Sequence, residues 1–182
     1  MRLYTLHPIA TSTVLGSVLL LAGCGGAGAA SPTQHPLVNS PAPTFSVDAV
    51  PSSKGSVSLD KESGKVVVLD FWGTFCGPCR ESFPKLQDLN TKYHQQGLDI
   101  IGISVDDTDA KDQIEPFLAK TGATFTIGWD PGGDKVAKQY NLGTMPFSFV
   151  IDKKGVVRYV HSGWHNEEYD ELDKQIKELL AE

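Results

Sequence analysis

Cysteine is scarce in this sequence. The 182 residues contain only three, Cys24, Cys76 and Cys79. A small exported domain held together by disulfides normally uses more pairs, spaced further apart in the chain. A structural zinc site made of four cysteines is excluded by their number. The close pair Cys76 and Cys79 is therefore better explained as a working site than as structural support.

Basic residues are in the minority. The chain has 16 Lys and Arg against 22 Asp and Glu, which gives a formal net charge of −6 at pH 7. The basic residues form no stripe along the sequence. A chain that binds nucleic acid normally carries a basic patch, so nucleic acid is not an expected partner.

Charge is almost absent from the N-terminal region, where Arg2 is the only charged residue among the first 47. The apolar stretch 9–23 is too short for a membrane span and has the layout of a secretory signal. The motif Leu-Ala-Gly-Cys at 21–24 resembles the lipobox of bacterial lipoproteins, whose signal is cleaved before a cysteine that is then acylated. We therefore predict a lipoprotein signal peptide over 1–23 and lipidation of Cys24. An ordinary secretory signal and an uncleaved anchor are the alternatives.

Residues 24–43 follow as a small, polar, proline-rich segment. Such a composition cannot bury a core and predicts a flexible linker. The remaining residues, 44–182, have the length of one ordinary domain.

Predicted strands and helices alternate along this domain. Apolar runs and turn residues predict strands at 44–47, 55–59, 66–71, 98–105, 124–127, 147–151 and 156–161. Apolar residues at helical spacing predict helices at 78–94, with a kink at Pro84, and at 110–121, 134–140 and 167–180. This order predicts an α/β fold with a mixed sheet flanked by helices, preceded by a β-hairpin.

The buried strand at 66–71 leads directly into Cys76-Gly77-Pro78-Cys79 at the start of a helix. The first N–H groups of a helix are unpaired and its dipole favours negative charge there. A cysteine in that place can have its pKa lowered from about 8.5 to roughly 3.5–7.5. The pattern indicates a dithiol/disulfide exchange site, with an inert structural disulfide as the alternative.

Two segments carry a family resemblance. The sequence at 70–79, Asp-Phe-Trp-Gly-Thr-Phe-Cys-Gly-Pro-Cys, resembles the active-site motif of thioredoxins, and 144–152 resembles the cis-proline strand that faces it. Together with the lipoprotein start, they resemble the extracytoplasmic TlpA/ResA-like thiol–disulfide oxidoreductases over 44–182. The resemblance implies a thioredoxin fold with an α/β insertion around 106–128.

The resemblance also implies roles for individual residues. Cys76, nearer the helix end, is the expected attacking thiolate, and Cys79 the resolving thiol. Asp70 takes the place of the buried acid that helps to deprotonate Cys79; an Asp that caps the strand end is the alternative. Many members instead carry an acid three positions after the second cysteine, where this chain has Ser82 beside Glu81. Either Asp70 or Glu81 could therefore tune the thiols.

Pro146 is expected to follow a cis peptide bond that turns the backbone of Met145 towards the dithiol, where an extended substrate segment can pair with it. Trp72 and Phe75 are apolar cover that can also shape docking. The full set of predicted docking residues is Trp72, Phe75, Gly77, Pro78, Thr144 and Met145.

The implied activity is reduction of disulfides in exported proteins by a monomer anchored to a membrane of the bacterial cell envelope. The dipeptide Gly77-Pro78 matches that of thioredoxins, which are reductants at about −270 mV. A membrane electron donor of the DsbD/CcdA kind would reset the dithiol, and neither an organic cofactor nor a metal is expected. Apocytochrome c, a copper-site apoprotein and a general pool of misoxidised proteins remain open as substrates. Either membrane could hold the lipid, although Gly25 favours the outer one.

Two other functions compete. A copper carrier could use both thiolates and a histidine, since soft thiolates suit Cu(I), but His94, His161 and His165 lack a clear spacing to the cysteines and are expected at surface or strand-end positions. A thiol peroxidase would need a proline- and threonine-rich peroxide loop, which the sequence does not contain.

Overall fold

The structure, a computed structural model, describes residues 35–165 and 167–182. The strands are β1 Ser46–Ala49, β2 Ser56–Ser58, β3 Val66–Trp72, β4 Leu98–Ser104, β5 Thr126–Trp129, β6 Phe147–Ile151 and β7 Val157–Ser162. The helices are α1 Gly77–Tyr93, α2 Ile114–Thr121, α3 Val136–Tyr140 and α4 Glu168–Leu180. Among these helices, none is long and apolar enough to cross a membrane. The predicted signal peptide and Cys24 lie outside the described residues.

One mixed sheet in the order β2-β1-β5-β4-β3-β6-β7 organises the domain. Strand β4 lies parallel to β3 and β5, and the other neighbouring pairs are antiparallel. Every residue of β3 is buried, because this valine-rich strand lies inside the sheet, between β4 and β6, with both faces covered. The fold is thioredoxin-like, as predicted, and its N-terminal hairpin β1–β2 is confirmed.

The two faces of β3 contribute to different hydrophobic cores. Val68 and Trp72 belong to a core that includes Cys79, whereas Leu69 and Phe71 belong to the opposite one. Successive side chains of a strand point to opposite faces. Asp70 therefore shares its face with Val68 and Trp72, on the side of the sheet where Cys79 lies.

Two predicted elements differ in detail. The first part of the predicted helix 110–121 is a 3₁₀ segment, Thr108–Gln113, and α2 itself begins only at Ile114. Pro116 falls in the first turn of α2, where its missing N–H costs nothing. Helix α1 continues through Pro84 as a single element.

The structure corrects the prediction of a flexible linker over its C-terminal part, residues 37–43. The Asn39 N–H donates to Val157 O at 2.8 Å, and Ala42 N–H donates to Gly155 O at 2.9 Å. Pro41 forms a bridge with Val156 beside β7, an edge position that tolerates proline. Residues 37–43 therefore belong to the folded domain. Composition did not reveal this, because edge pairing needs backbone groups rather than apolar side chains.

Candidate active site

The two cysteines lie at the start of α1 and form a disulfide. Cys76 is the residue that caps the helix, and its Sγ accepts a hydrogen bond from the Cys79 backbone N–H at 3.2 Å. Cys76 is 7% exposed, whereas Cys79 is fully buried. The helix start and this N–H donor stabilise negative charge on Cys76 Sγ in the reduced state. Cys76 is therefore the outer sulfur, available to a partner, and Cys79 is the shielded one.

The loop before β6 lies beside the segment that follows β3, because the two strands pair antiparallel with Phe71 opposite Phe147. The Met145–Pro146 peptide bond is cis, as predicted. The Gly163 N–H donates to Thr144 O at 3.0 Å and to Pro146 O at 2.8 Å, which fixes the loop against the end of β7. Pro146 is buried, Met145 is half-buried and Thr144 is exposed. Thr144 and Met145 thus present a surface beside the exchange site.

Asp70 is a fully buried carboxyl in the middle of the sheet. It lies opposite Ser148 of β6, whose Oγ donates to Asp70 Oδ1 at 2.5 Å. Within the described residues, Asp70 Oδ2 has no hydrogen-bond partner. Burial raises the pKa of Asp70 from 3.8 to about 7, and the Ser148 hydrogen bond opposes that rise. Near neutral pH this carboxyl can therefore both accept and release a proton.

Of the two acids that the sequence offers, Asp70 is the buried one. The side chain of Glu81 is exposed on α1, whereas its neighbour Ser82 faces the interior and bonds to Cys79 O at 3.1 Å. The alternative of a strand-end cap also fits poorly, since the hydrogen bond that holds Asp70 comes from a side chain on the next strand. The geometry therefore favours Asp70 as the acid that acts on the thiols.

A second buried aspartate was missed by the sequence analysis. Asp106 follows β4, is fully buried, and accepts hydrogen bonds from the Thr74 N–H at 3.1 Å and from Thr74 Oγ1 at 2.6 Å. Ser104 Oγ donates to its other oxygen at 2.8 Å. Asp106 thus ties the turn that precedes Cys76 to the end of β4. An acid directly after a buried parallel strand is the signal that could have suggested it.

The predicted docking aromatics separate into one buried and one exposed side chain. Trp72 is fully buried and its ring centroid lies 4.5 Å from that of Phe83 and 4.7 Å from that of Phe117. It thus provides the apolar cover that the sequence predicted, and its buried ring offers no surface for docking in this structure. Phe75, by contrast, is 68% exposed beside Cys76. Gly77 and Pro78 are exposed next to it.

Two shallow grooves are lined by residues near the site in sequence or by residues of the loop before β6. One, of about 240 Å³, is lined by residues that include Thr74, Arg80 and Phe117. The other, of about 480 Å³, is lined by residues that include Val105 and Met145.

The histidines do not join the cysteines. His161 lies near the end of β7, one of the two kinds of position predicted, and is buried. Its Nδ1 contacts Glu168, and its Nε2 lies 2.8 Å from Gln175 Oε1. His165 is exposed. Within the described part of the chain, the one group of three potential metal ligands is His161, Glu168 and Glu171, and it contains neither cysteine. The geometry therefore gives no support to a copper site at the dithiol.

Comparison with known proteins identifies the family. The model of the Redoxin family matches residues 37–176. The thiol–disulfide oxidoreductase ResA of Bacillus anthracis is 37% identical over 116 residues, which cover 64% of each chain. A Bacillus cereus ResA is 34% identical over 136 residues, covering 74% of this chain and 76% of that one. The match thus spans slightly less than two thirds of the first of these relatives.

Solved structures agree. A Chlorobium tepidum protein described as a thiol:disulfide interchange protein, DsbE, superposes with a TM-score of 0.71 at 35% identity, covering 77% of this chain and 95% of that one. A Bacteroides thetaiotaomicron protein described as a protein disulfide isomerase superposes with a TM-score of 0.72 at 28% identity, covering 80% and 91%. The chain belongs to the Redoxin family and, within the thioredoxin superfamily, to the TlpA/ResA-like thiol–disulfide oxidoreductases.

Proposed function

We propose that this protein is a membrane-tethered, extracytoplasmic oxidoreductase that reduces disulfides of exported proteins through Cys76 and Cys79. One observation carries the proposal: a disulfide at a helix start pairs an outer sulfur, Cys76, with a shielded one, Cys79, beside the cis-proline loop. The relatives named ResA and DsbE support the same chemistry.

The exchange runs in two steps. The Cys76 thiolate attacks a substrate disulfide and forms a mixed disulfide, releasing the first substrate thiolate. Cys79 then loses its proton to Asp70 and attacks Cys76 Sγ, which closes the Cys76–Cys79 bond and releases the second substrate thiolate. The substrate gains the two electrons that the dithiol loses. A membrane donor of the DsbD/CcdA kind would return them, and no cofactor or metal takes part.

Substrate docking uses the surface around Cys76. Exposed Phe75, next to Cys76 in the chain, and half-buried Met145 would provide its apolar contacts. The backbone at Met145 is the place where an extended substrate segment would pair. The protein acts as a monomer in this scheme, because one chain supplies both sulfurs and the acid.

Trapping tests the function. Cys79→Ser is expected to leave substrate proteins attached to Cys76 through a bond that thiol reductants break, since the resolving sulfur is gone. Cys76→Ser is the matched control and should trap little, because its remaining sulfur is fully buried. Mass spectrometry of the trapped partners would distinguish cytochrome, copper-site and general substrates. Equal trapping by both variants would contradict the order of attack, and no trapping by either would contradict the protein substrate.

Anchoring is tested separately. The motif at 21–24 supports lipidation of Cys24, so the wild-type protein should incorporate labelled fatty acid and partition into detergent. Cys24→Ser should give a soluble or uncleaved form with no label. Undiminished membrane association of a cleaved Cys24→Ser variant would contradict the lipid anchor while leaving the exchange chemistry untouched.

A further inference from the structure

The two oxygens of the Asp70 carboxyl have different surroundings. Ser148 Oγ donates to Oδ1 at 2.5 Å, whereas Oδ2 has no partner within the described residues. Asp70 is fully buried and Ser148 is 7% exposed. A carboxyl group has two equivalent oxygens until a neighbour distinguishes them. Here the distinguishing neighbour is a single hydroxyl.

The neighbours on the other strand leave Oδ2 open. The residue opposite Asp70 on β4 is Gly102, which has no side chain to offer. The Trp72 indole lies over this glycine, since a Cβ at Gly102 would be 3.1 Å from Trp72 Nε1. This indole N–H is the other buried polar atom without a partner in the described chain. Within residues 35–165 and 167–182, no side chain on this side hydrogen-bonds to Oδ2.

The titratable groups on the other side are already engaged. His161 of β7 lies opposite Ser148 of β6. One of its ring nitrogens contacts Glu168 and the other contacts Gln175, and both of these partners belong to α4. On the α1 side, the buried titratable side chains of this core are Cys79 and Tyr93, and the Tyr93 hydroxyl donates to Asp173. Among the described residues, Ser148 is therefore the one side chain that hydrogen-bonds to Asp70.

We propose that Ser148 is a positioning residue for the exchange reaction: its hydroxyl occupies Oδ1 of Asp70 and leaves Oδ2 as the oxygen that takes the proton from Cys79. This rests on the proposed function and concerns its second step. The Cys79 S–H bond breaks as its proton moves to Oδ2. The bond between Cys79 Sγ and Cys76 Sγ then forms, and the bond between Cys76 and the substrate sulfur breaks.

The hydroxyl also sets how basic the carboxylate is. A hydrogen bond donated to the charged form favours that form, and the Ser148 bond acts in this direction on the pKa of Asp70. Without it, burial would act alone and Asp70 would hold its proton up to a higher pH. A protonated Asp70 cannot accept the proton of Cys79, so resolution would slow at neutral pH.

An isosteric pair of variants isolates the hydroxyl. Ser148→Thr keeps a hydroxyl at this position. Ser148→Val introduces a side chain of the same shape as threonine but without the hydroxyl. The full chain carrying Cys24→Ser and reduced at both remaining thiols is mixed with Ellman's reagent. The first released nitrothiobenzoate reports attack by Cys76, and the second reports resolution by Cys79. Rates are measured from about pH 5 to about pH 9, on either side of the expected midpoint.

We expect the Ser148→Thr profile to match wild type. Ser148→Val should move the midpoint of the second phase to higher pH and slow that phase near pH 7 on the order of tenfold, the effect of one hydrogen bond to a charged group. The first phase should not change. If Ser148→Val does not fold, Ser148→Ala replaces it as the smaller variant without a hydroxyl.

Ser82→Ala is the matched control, because Ser82 is also a buried serine near Cys79 but bonds to a backbone carbonyl. Its second-phase midpoint should equal that of wild type. Superimposable profiles for the Thr and Val variants, or an equal shift in Ser82→Ala, would overturn the inference. Absence of a second phase in wild type would instead overturn the proposed function.

Discussion

Two fully buried aspartates lie within the same site and differ in the number of hydrogen bonds that they accept. Asp106 receives hydrogen bonds on both oxygens, from Thr74 and Ser104. Asp70 receives one, from Ser148, and keeps an oxygen without a partner in the described chain. A buried carboxylate with all its acceptors satisfied holds structure together, whereas one with an open oxygen is costly and available for proton transfer. The number of donors, rather than burial, separates the two roles.

The largest expected effect is on the pH dependence of stability, through Asp70→Asn. The pKa of Asp70 is about 7 in the folded protein and about 3.8 in the unfolded chain. The folded state thus binds this proton more tightly, so the stabilisation is complete below about pH 4 and is lost as the pH rises to about 7. About three pH units at about 1.4 kcal/mol each amount to about 4 kcal/mol.

The oxidised wild type should therefore lose about 4 kcal/mol relative to oxidised Asp70→Asn between about pH 4 and about pH 7. Urea denaturation at several pH values measures this difference. In the reduced protein, the same variant should slow resolution more than attack. If the difference in the free energy of unfolding between the two proteins stays constant across this pH range, ionisation of Asp70 does not destabilise the folded state.

Asp106→Asn should have the next largest effect and the opposite sign. An amide keeps one acceptor and turns an NH₂ group towards donors, so we expect a loss of about 3 kcal/mol in the free energy of unfolding. Attack by Cys76 should also slow, because Thr74 is no longer fixed. Asp107→Asn is the control, since Asp107 is the exposed neighbour. Equal stability of the two variants would remove the distinction between Asp106 and an ordinary surface acid.

Asp130 extends the comparison beyond the site. It is fully buried and accepts from the backbone N–H groups of Val136 and Ala137 at 2.9 Å each, at the start of α3. Asp130→Ala should cost about 1.5 kcal/mol, as for the loss of a helix cap. Both phases of the exchange should keep their rates per folded molecule. A slower exchange in the folded variant would show that the satisfied carboxylates also contribute to chemistry.

The sequence could predict what local pattern determines. The strand before Cys76, the helix after it and the cis peptide at Pro146 follow from residue order and family resemblance, and the structure agrees with each. The sequence also marked Asp70, because a charge inside an apolar run has a physical cost wherever the strand lies.

Contacts between distant segments could not be predicted in this way. The bond from Thr74 to Asp106 joins residues 32 positions apart, and nothing in either local sequence specifies the other. Trp72 was assigned to docking because it is a large aromatic next to the motif, but alternation along β3 turns it into the core. The burial of His161 likewise depends on α4, which lies beyond the end of its strand.

The length of chain between Cys24 and the folded domain would limit the distance of the dithiol from a membrane, if Cys24 carries lipid. The His35 ring lies 5.7 Å from that of Phe147 and 5.2 Å from that of Phe149, and Phe147 directly follows Pro146. The described chain thus begins against the side chains of β6 that belong to the core opposite the one containing Cys79. If Cys24 carries lipid, the ten residues 25–34 can span at most about 35 Å. The distance between the dithiol and the bilayer would then be limited by this span and by the size of the domain, and substrates held further from the membrane would be out of reach.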